Sequence, residues 1–484
     1  MNLDSRIDSI LSPIANKISG IIFSHVTIHG VRVEFLIALL IIAALYFTFR
    51  TRFIGLWGFH HAIDLLTQKY KHEDLIKRKR KGEVSSFQAL TATISASAGM
   101  GNIVGSALAV SIGGPGVIFW MITAGIFSMA LKFSEVLLGI KFRQINKDGS
   151  SSGGPMYYII NGLRAQWIKP YAPYLANIYA LCCIFAMIGG WNLFQINAIT
   201  TQIVNVTGLF SGCRWLFGFI VAVITYVTVI GGIKSIGKFT SKVTPVMCSL
   251  YVLSAFIICL INIQNVPNTI CLIIKEAFKP QAIVGGGLFG CMLWGFRRAM
   301  FANEAGLGTA PIAFSAVKTS KPVAQAFIAM LQPFVDTVIV GSATAFIIVV
   351  TGAYRDFTGA AGIELTSHAF ESVWQYFPIL LTVMAGFFVL STMLCGSYYG
   401  VKSWTFLFGE SKLKTRTFQI IYCIFIIIGS AMNLKSVVNL SDGFTLFLAV
   451  PNLIAVFLLS DIIIKEVKRY CRKYKVGYFK NSEQ

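Results

Sequence analysis

Along this 484-residue chain, apolar positions neither alternate as in a half-buried strand nor recur on one side as in a surface helix. They run in long apolar blocks, parted by short polar, charged or Pro/Gly-bearing segments. A helix needs roughly 20 apolar residues to cross the hydrocarbon core of a bilayer. Blocks of that kind fall near 33–49, 86–112, 115–140, 174–206, 214–232, 242–262, 282–316, 323–352, 367–395, 416–432 and 440–464. The pattern predicts an all-α polytopic membrane protein with eleven transmembrane helices. The second and third blocks join in a stretch with no charge from Val84 to Leu131. "GGPG" at 113–116 is the turn between them, because Pro and Gly stop one helix and allow the next. Composition agrees: 55% of residues are hydrophobic and 13% charged, where a soluble domain carries about 25% charged residues.

The net charge of +21 matters through its placement. With the N-terminus outside, the inner segments hold 30 of the 41 Lys and Arg residues and the outer segments hold 8. Lys132, Arg297 and Arg298 fall within spans. That asymmetry is the positive-inside pattern, so the charge reads as topology and gives no support for a nucleic-acid partner. It predicts a multi-pass protein of the cell membrane with a cytoplasmic C-terminus. "KRKRK", Lys77 to Lys81, reads as a solvated juxtamembrane face, with attraction to anionic lipid as a second reading. The ten cysteines form no CxxC pair and read as small buried residues. The N-terminus lacks the basic-then-apolar order of a secretory signal. There is no HExxH or GxSxG, and the six histidines are scattered, so an enzyme is not expected.

Two blocks carry too much glycine for ordinary spans. One contains "SASAGMGNIVGSALA" (95–109), the other "GGGLFG" (285–290) and "NEAGLG" (303–308). Glycine costs roughly 1 kcal/mol against alanine inside a helix, and a cluster of them marks a helix broken within the membrane. The spacing G-x-G-x-x-x-G has no P-loop lysine after it and no βαβ unit around it, so it does not read as a phosphate cradle. If the first helix is set aside as accessory, ten remain as five plus five. Each half opens with a glycine-interrupted span, and an odd number of helices per half inverts the second. Paired interruptions of inverted halves point to a secondary-transporter site. The chain then divides into 1–82, with the accessory helix and a basic linker; 83–265, the first repeat; 266–465, the inverted second repeat; and 466–484, a basic tail. A channel fits poorly, because no filter repeat appears.

At these residues the chain resembles the alanine or glycine:cation symporter family, whose members share the LeuT-like five-plus-five inverted-repeat fold. The resemblance rests on "FQALTATISASAGMGNIVG" (87–105), "GGPGVIFWM" (113–121), "KFSEVLLGIKFR" (132–143), "GGPMYYI" (153–159) and "NLFQIN" (192–197). It continues through "FANEAGLGTAPIA" (301–313), "PFVDT" (333–337), "STMLCGSYYG" (391–400) and "PNLIA" (451–455). It implies alternating-access import, coupled to Na⁺, of a small neutral amino acid, alanine or glycine, in L or D form. Family members that carry glutamine, and proton coupling, are the alternatives. It places the substrate carboxylate near Gly99, Gly101 and Asn102 and the amino group near Gln195, with Phe289, Met292 and Leu293 lining the side-chain pocket. It assigns Na⁺ to the hydroxyls of Ser391 and Thr392 with backbone carbonyls near Ser95 and Ala98. Taken alone, Ser391 and Thr392 read as hydroxyls bonded back to their own helix, and Gln195 as an interhelical hydrogen bond.

Two departures fall where substrate choice would be made. Met100 stands where the family usually has Thr, and Gly396 where it usually has Trp, so both are expected at the pocket. Among the ionisable residues within spans, Lys132 and Glu135 are three apart and predict a mutual salt bridge. Glu304 and Asp336 are expected to face protein or water, with Arg297 and Arg298 pairing with them at an inner gate.

Overall fold

The computed structural model describes residues 25–28, 31–67, 83–146, 149–279, 287–356 and 362–477; Lys77–Lys81, Gly285 and Gly286 lie outside them. The described chain is helical apart from two short antiparallel pairs, His25–Ile28 with Val31–Glu34 and Gln144–Ile145 with Ser151–Ser152. In chain order the helices used below are α1 Phe35–Arg50, α2 Phe59–Leu66, α3 Ser86–Ser97, α4 Met100–Gly113 and α5 Val117–Lys141. Next come α6 Ala172–Ile188, α7 Phe194–Thr207, α8 Arg214–Val229, α9 Gly232–Ile261, α10 Gly287–Asn303 and α11 Ala310–Phe314. The span Pro322–Val350 is α12. The rest are α13 Phe377–Phe408, α14 Lys412–Ala431, α15 Leu434–Phe447, α16 Ala449–Leu458 and α17 Ser460–Tyr474.

Each of the eleven predicted blocks holds helix. Among the described residues, seven helices are long and apolar enough to cross a membrane on their own, and eight if the bent pair α3–α4 counts as one. α1 and α8, at 16 residues each, fall short of the roughly 20 a bilayer needs. Side chains such as Val227, Val246, Phe256 and Ile261, all more than half exposed, suit a lipid surface, where water would penalise them.

Two block boundaries move. α9 begins at Gly232, so the lysines read as a loop at 233–242 are its first turns. Lysine is a good helix former, and nothing before Pro245 breaks the run. The block 367–395 divides into a helix Ile363–Glu371 and the longer α13. Pro378 at the start of α13 can begin a helix but cannot continue one.

α1 lays Leu36, Ile37, Leu40, Ala43, Ala44 and Phe47 against the bundle, chiefly along α5. At the end read as cytoplasmic, α17 is amphipathic and buries Ile463, Val467, Tyr470, Cys471 and Tyr474. Tyr470 meets His61 of α2 at 3.0 Å, and both rings pack on Phe327 of α12. Burial pushes the His61 imidazole down to about 4, with Asp64 opposing the shift. An unfolded chain takes that proton near pH 6.5. The stability given by neutral His61 is therefore complete above pH 6.5 and is lost as pH falls from there towards 4. His61→Gln should lose less of its thermal midpoint than the unaltered protein between pH 7.5 and 5; equal losses would assign the acid sensitivity elsewhere.

Candidate functional site

The first broken span is built by its small residues. α3 ends at Ser97, Ala98 closes the last turn onto the Ile94 carbonyl, Gly99 is extended, and α4 starts at Met100. The two halves bend by 41°. The break frees backbone groups, and side chains from two other spans meet them. Gln195 Oε1 accepts the first free N–H of α4, from Met100, at 2.8 Å, and its Nε2 donates to the Gly190 carbonyl at 3.2 Å. Thr392 Oγ1 donates to the Ser95 carbonyl at 2.8 Å. A Cβ on Gly99 would stand 2.7 Å from both Gln195 Oε1 and Thr392 Oγ1, so only glycine fits there. Ser391 bonds back to the Phe388 carbonyl at 3.0 Å. The buried hydroxyl of Ser95 has no hydrogen-bond partner among the described residues.

The second break lies at 304–309. α10 ends at Asn303, and the chain then takes positive φ at Glu304 (57°), Gly306 (91°) and Gly308 (76°). "GGGLFG" is not a break over its described part, because Gly287 to Gly290 open α10. The groups freed at 304–309 are held by the scaffold. Lys132 Nζ donates to the Glu304 carbonyl at 2.9 Å, Asn452 Nδ2 to the Gly306 carbonyl at 2.8 Å, and Tyr179 Oη to the Leu307 carbonyl at 2.9 Å. Gly308 N–H donates to Glu135 Oε1 at 3.0 Å, where Asn452 Nδ2 also donates at 2.6 Å. Tyr158 Oη donates to Asn452 Oδ1. Lys132 and Glu135 therefore do not pair with each other as their spacing predicted; both are fully buried, and each reaches across to the broken segment, where a buried backbone group left unmet is costly.

Between the breaks lies a cavity of about 40 Å³. The first span supplies Ala96, Ser97 and Gly101 to its wall, and the α6–α7 segment supplies Gly190, Trp191, Phe194 and Gln195. α10 and the turn after it give Arg298, Phe301 and Glu304, and α15 gives Ser441, Asp442 and Thr445. Gly189–Leu193 is π-helical, and this turn places Trp191 on the cavity wall, where its Nε1 donates to Glu304 Oε1 at 3.1 Å. Thr309 Oγ1 donates to Glu304 Oε2 at 2.5 Å. Asp336 accepts from Ser97 Oγ.

The arginines do not pair with Glu304 or Asp336. Arg297 holds Glu34 at 2.7 Å and Asp442 at 3.1 Å, and Arg298 reaches Asp442 at 3.5 Å. Both precede the break and share the end of the bundle where α1 begins, whereas Glu304 opens the break and turns beneath Trp191.

Of the residues expected to contact substrate, Gly101 and Gln195 line the cavity and Gly99 sits beside it. Met100 and Asn102 are buried but are not on its wall. Met292 and Leu293 lie on α10, about three turns before the break, and are likewise absent from the wall. The Phe289 side chain lies outside the described residues. Arg298 and Phe301 take their place. Gly396 stands behind the wall: a Cβ there would be 2.5 Å from Trp191 Cβ and 2.9 Å from Tyr422 Oη. Sequence reading missed Trp191, Phe301, Thr445 and Asp442. The Gly-Gly pair at 189–190 was a usable sign of a third irregular span; nothing in the sequence marked Thr445.

These positions carry a test. Met100→Thr should leave the ranking of competing amino acids unchanged in an uptake assay. Gly396→Trp should displace Trp191 into the cavity and lower uptake by about tenfold, a steric cost of roughly 1–3 kcal/mol. A reordered ranking in Met100→Thr would put that side chain at the substrate after all.

Comparison with known proteins agrees with this architecture. The profile described as the sodium:alanine symporter family matches residues 19–484. A protein of Methanococcus maripaludis named sodium/alanine symporter AgcS is 33% identical over 438 residues, 90% of this chain and 94% of that one. The amino-acid carrier protein AlsT of Bacillus subtilis is 31% identical, covering 92% of this chain and 91% of its own. The crystal structure of MhsT in complex with L-phenylalanine matches with a TM-score of 0.52 at 15% identity, over 80% of this chain and 99% of that one. That likeness shows a shared LeuT-like fold. The match along nearly the whole chain makes this protein a multi-pass membrane transporter rather than an enzyme, and a member of the sodium:alanine symporter family.

Proposed function

We propose that the protein imports a small neutral amino acid in symport with Na⁺, by alternating access about the cavity between the two breaks. The observation that carries this reading is the meeting of Ser95 carbonyl and Thr392 hydroxyl at 2.8 Å beside Gly99. Na⁺ is a hard cation that takes oxygen ligands, and this corner offers, without a formal charge, a carbonyl, a hydroxyl and the Ser95 Oγ, which has no partner among the described residues. The first turn of α4, at Gly101, presents a positive helix end to the cavity, which suits a carboxylate. Trp191, Phe194 and Phe301 supply an apolar wall for a short side chain. One water needs about 10–15 Å³ of such space, so 40 Å³ favours an alanine-sized substrate over glutamine.

One Na⁺ entering with a neutral substrate down 100 mV gives about 2.3 kcal/mol, enough for about 50-fold accumulation. The lysine and arginine asymmetry supports a cell-membrane location with the N-terminus outside. Proton coupling is the second reading, favoured by buried Asp336, whose Oδ1 has no partner among the described residues. Uptake into proteoliposomes under an imposed Na⁺ gradient, against an imposed pH gradient, separates the two. Concentrative alanine or glycine uptake driven by Na⁺ alone is expected. Uptake indifferent to Na⁺ would overturn the coupling, and flux without saturation would favour a channel.

A further inference from the structure

One corner of the cavity holds a buried hydroxyl with no partner among the described residues. Thr445 is 3% exposed, yet its Oγ1 has no hydrogen-bond partner among the described residues. A threonine hydroxyl in a helix commonly bonds back to the carbonyl of the preceding turn. Thr48, Thr200 and Thr344 do so here. Thr445 instead turns its hydroxyl across to the π-helical turn of the neighbouring span. A Cβ on Gly190 would stand 2.6 Å from Thr445 Oγ1 and 3.4 Å from Ser441 Oγ. Gly190, Ser441 and Thr445 all line the cavity. The missing side chain at 190 thus lets the Thr445 hydroxyl close up against the π-helical turn at the cavity wall, with the Ser441 hydroxyl beside it.

A buried hydroxyl without a partner is costly, so this corner is complete only when the occupant brings a hydrogen-bonding group. The methyl of alanine cannot, and a carboxamide brings more bulk and more polar groups than this one hydroxyl needs. A hydroxymethyl group meets both demands. We propose that the preferred substrate is a small amino acid with a side-chain hydroxyl, of the serine class, selected over alanine by Thr445 with Ser441. This rests on the reading of the cavity as the amino-acid site.

The test is Na⁺-driven uptake of serine and alanine, in both enantiomers, by the full-length protein in proteoliposomes, read as the serine-to-alanine ratio of kcat/KM. In the unaltered protein the ratio should favour serine by about tenfold, the scale of one buried hydrogen bond made or left unmade. Thr445→Val, which keeps the shape and removes the hydroxyl, should bring the ratio near one, and Thr445→Ser should retain it. A ratio at or below one in the unaltered protein overturns the proposal. So does a Thr445→Val ratio equal to that of the unaltered protein, because the hydroxyl would then be serving a trapped water. If Thr445→Val does not assemble, Ser441→Ala decides by the same ratio. Saturable uptake of alanine with no preference for serine refutes this inference alone, whereas absence of Na⁺-driven uptake of either amino acid removes the underlying reading as well.

Discussion

Asn452→Leu is expected to lower the stability of the protein by about 3–6 kcal/mol, and to abolish transport in whatever fraction still folds. The side chain is fully buried on α16 and joins three groups: it donates to Glu135 Oε1 and the Gly306 carbonyl and accepts from Tyr158. Leucine fills a similar volume and makes none of these bonds. Each buried polar group left unmet costs about 1–3 kcal/mol, and Glu135 Oε2 already lacks a partner among the described residues. The loop 304–309 would lose the bond that fixes it at Gly306, and with it the position of Glu304 under Trp191. Thermal unfolding of the detergent-solubilised protein measures this. Tyr158→Phe alone should cost less, and should add almost nothing in the Asn452→Leu background, because the two share one bond. Additive losses would show that Asn452 and Tyr158 act separately.

Gly99→Ala should reduce Na⁺-driven uptake by about 10- to 100-fold and raise the Na⁺ concentration needed for half-maximal rate. Its Cβ would press on Gln195 Oε1 and Thr392 Oγ1 together, each at 2.7 Å, an overpacking that costs roughly 1–3 kcal/mol. One displacement uncaps α4, and the other withdraws the Thr392 hydroxyl from the Ser95 carbonyl. Gly105→Ala, in the same glycine-rich segment, is the control. Its Cβ would meet nothing nearer than Arg298 Cδ at 3.7 Å, an ordinary contact, so uptake should stay close to that of the unaltered protein. Equal loss in both variants would mean that helix propensity, rather than the corner at Gly99, sets the sensitivity.

The span pattern was legible because burial in lipid is a local demand: each segment must be apolar by itself, whatever its neighbours do. The first break was legible for a similar reason, since a cluster at Gly99, Gly101 and Gly105 is hard to reconcile with an unbroken helix. Partners were not. Lys132 and Glu135 lie at pairing distance along the sequence, but each reaches the backbone of the 304–309 turn. Arg297 likewise joins Asp442 and Glu34, residues 145 and 263 positions away, and Arg298 reaches Asp442. Met100 shows the same limit. Its standing where the family usually has Thr predicted a pocket residue, but successive residues of a helix point in different directions, and of Met100 and Gly101 only Gly101 lines the cavity.

By itself the sequence determined that this is an all-helical membrane protein with glycine-broken spans, and its motifs identified the family. Hydropathy, helix propensity and glycine spacing act within one segment and need no knowledge of contacts. Only the tertiary structure decided which backbone groups freed by the breaks are closed by scaffold side chains and which face a cavity. It also decided that Trp191, Phe301 and Thr445, rather than Met100, Met292 and Leu293, border that space. Those outcomes depend on how the α6–α7 segment, α10 and α15 rotate and approach one another, down to the absent side chain at Gly190. Such distances are set by packing among residues hundreds of positions apart.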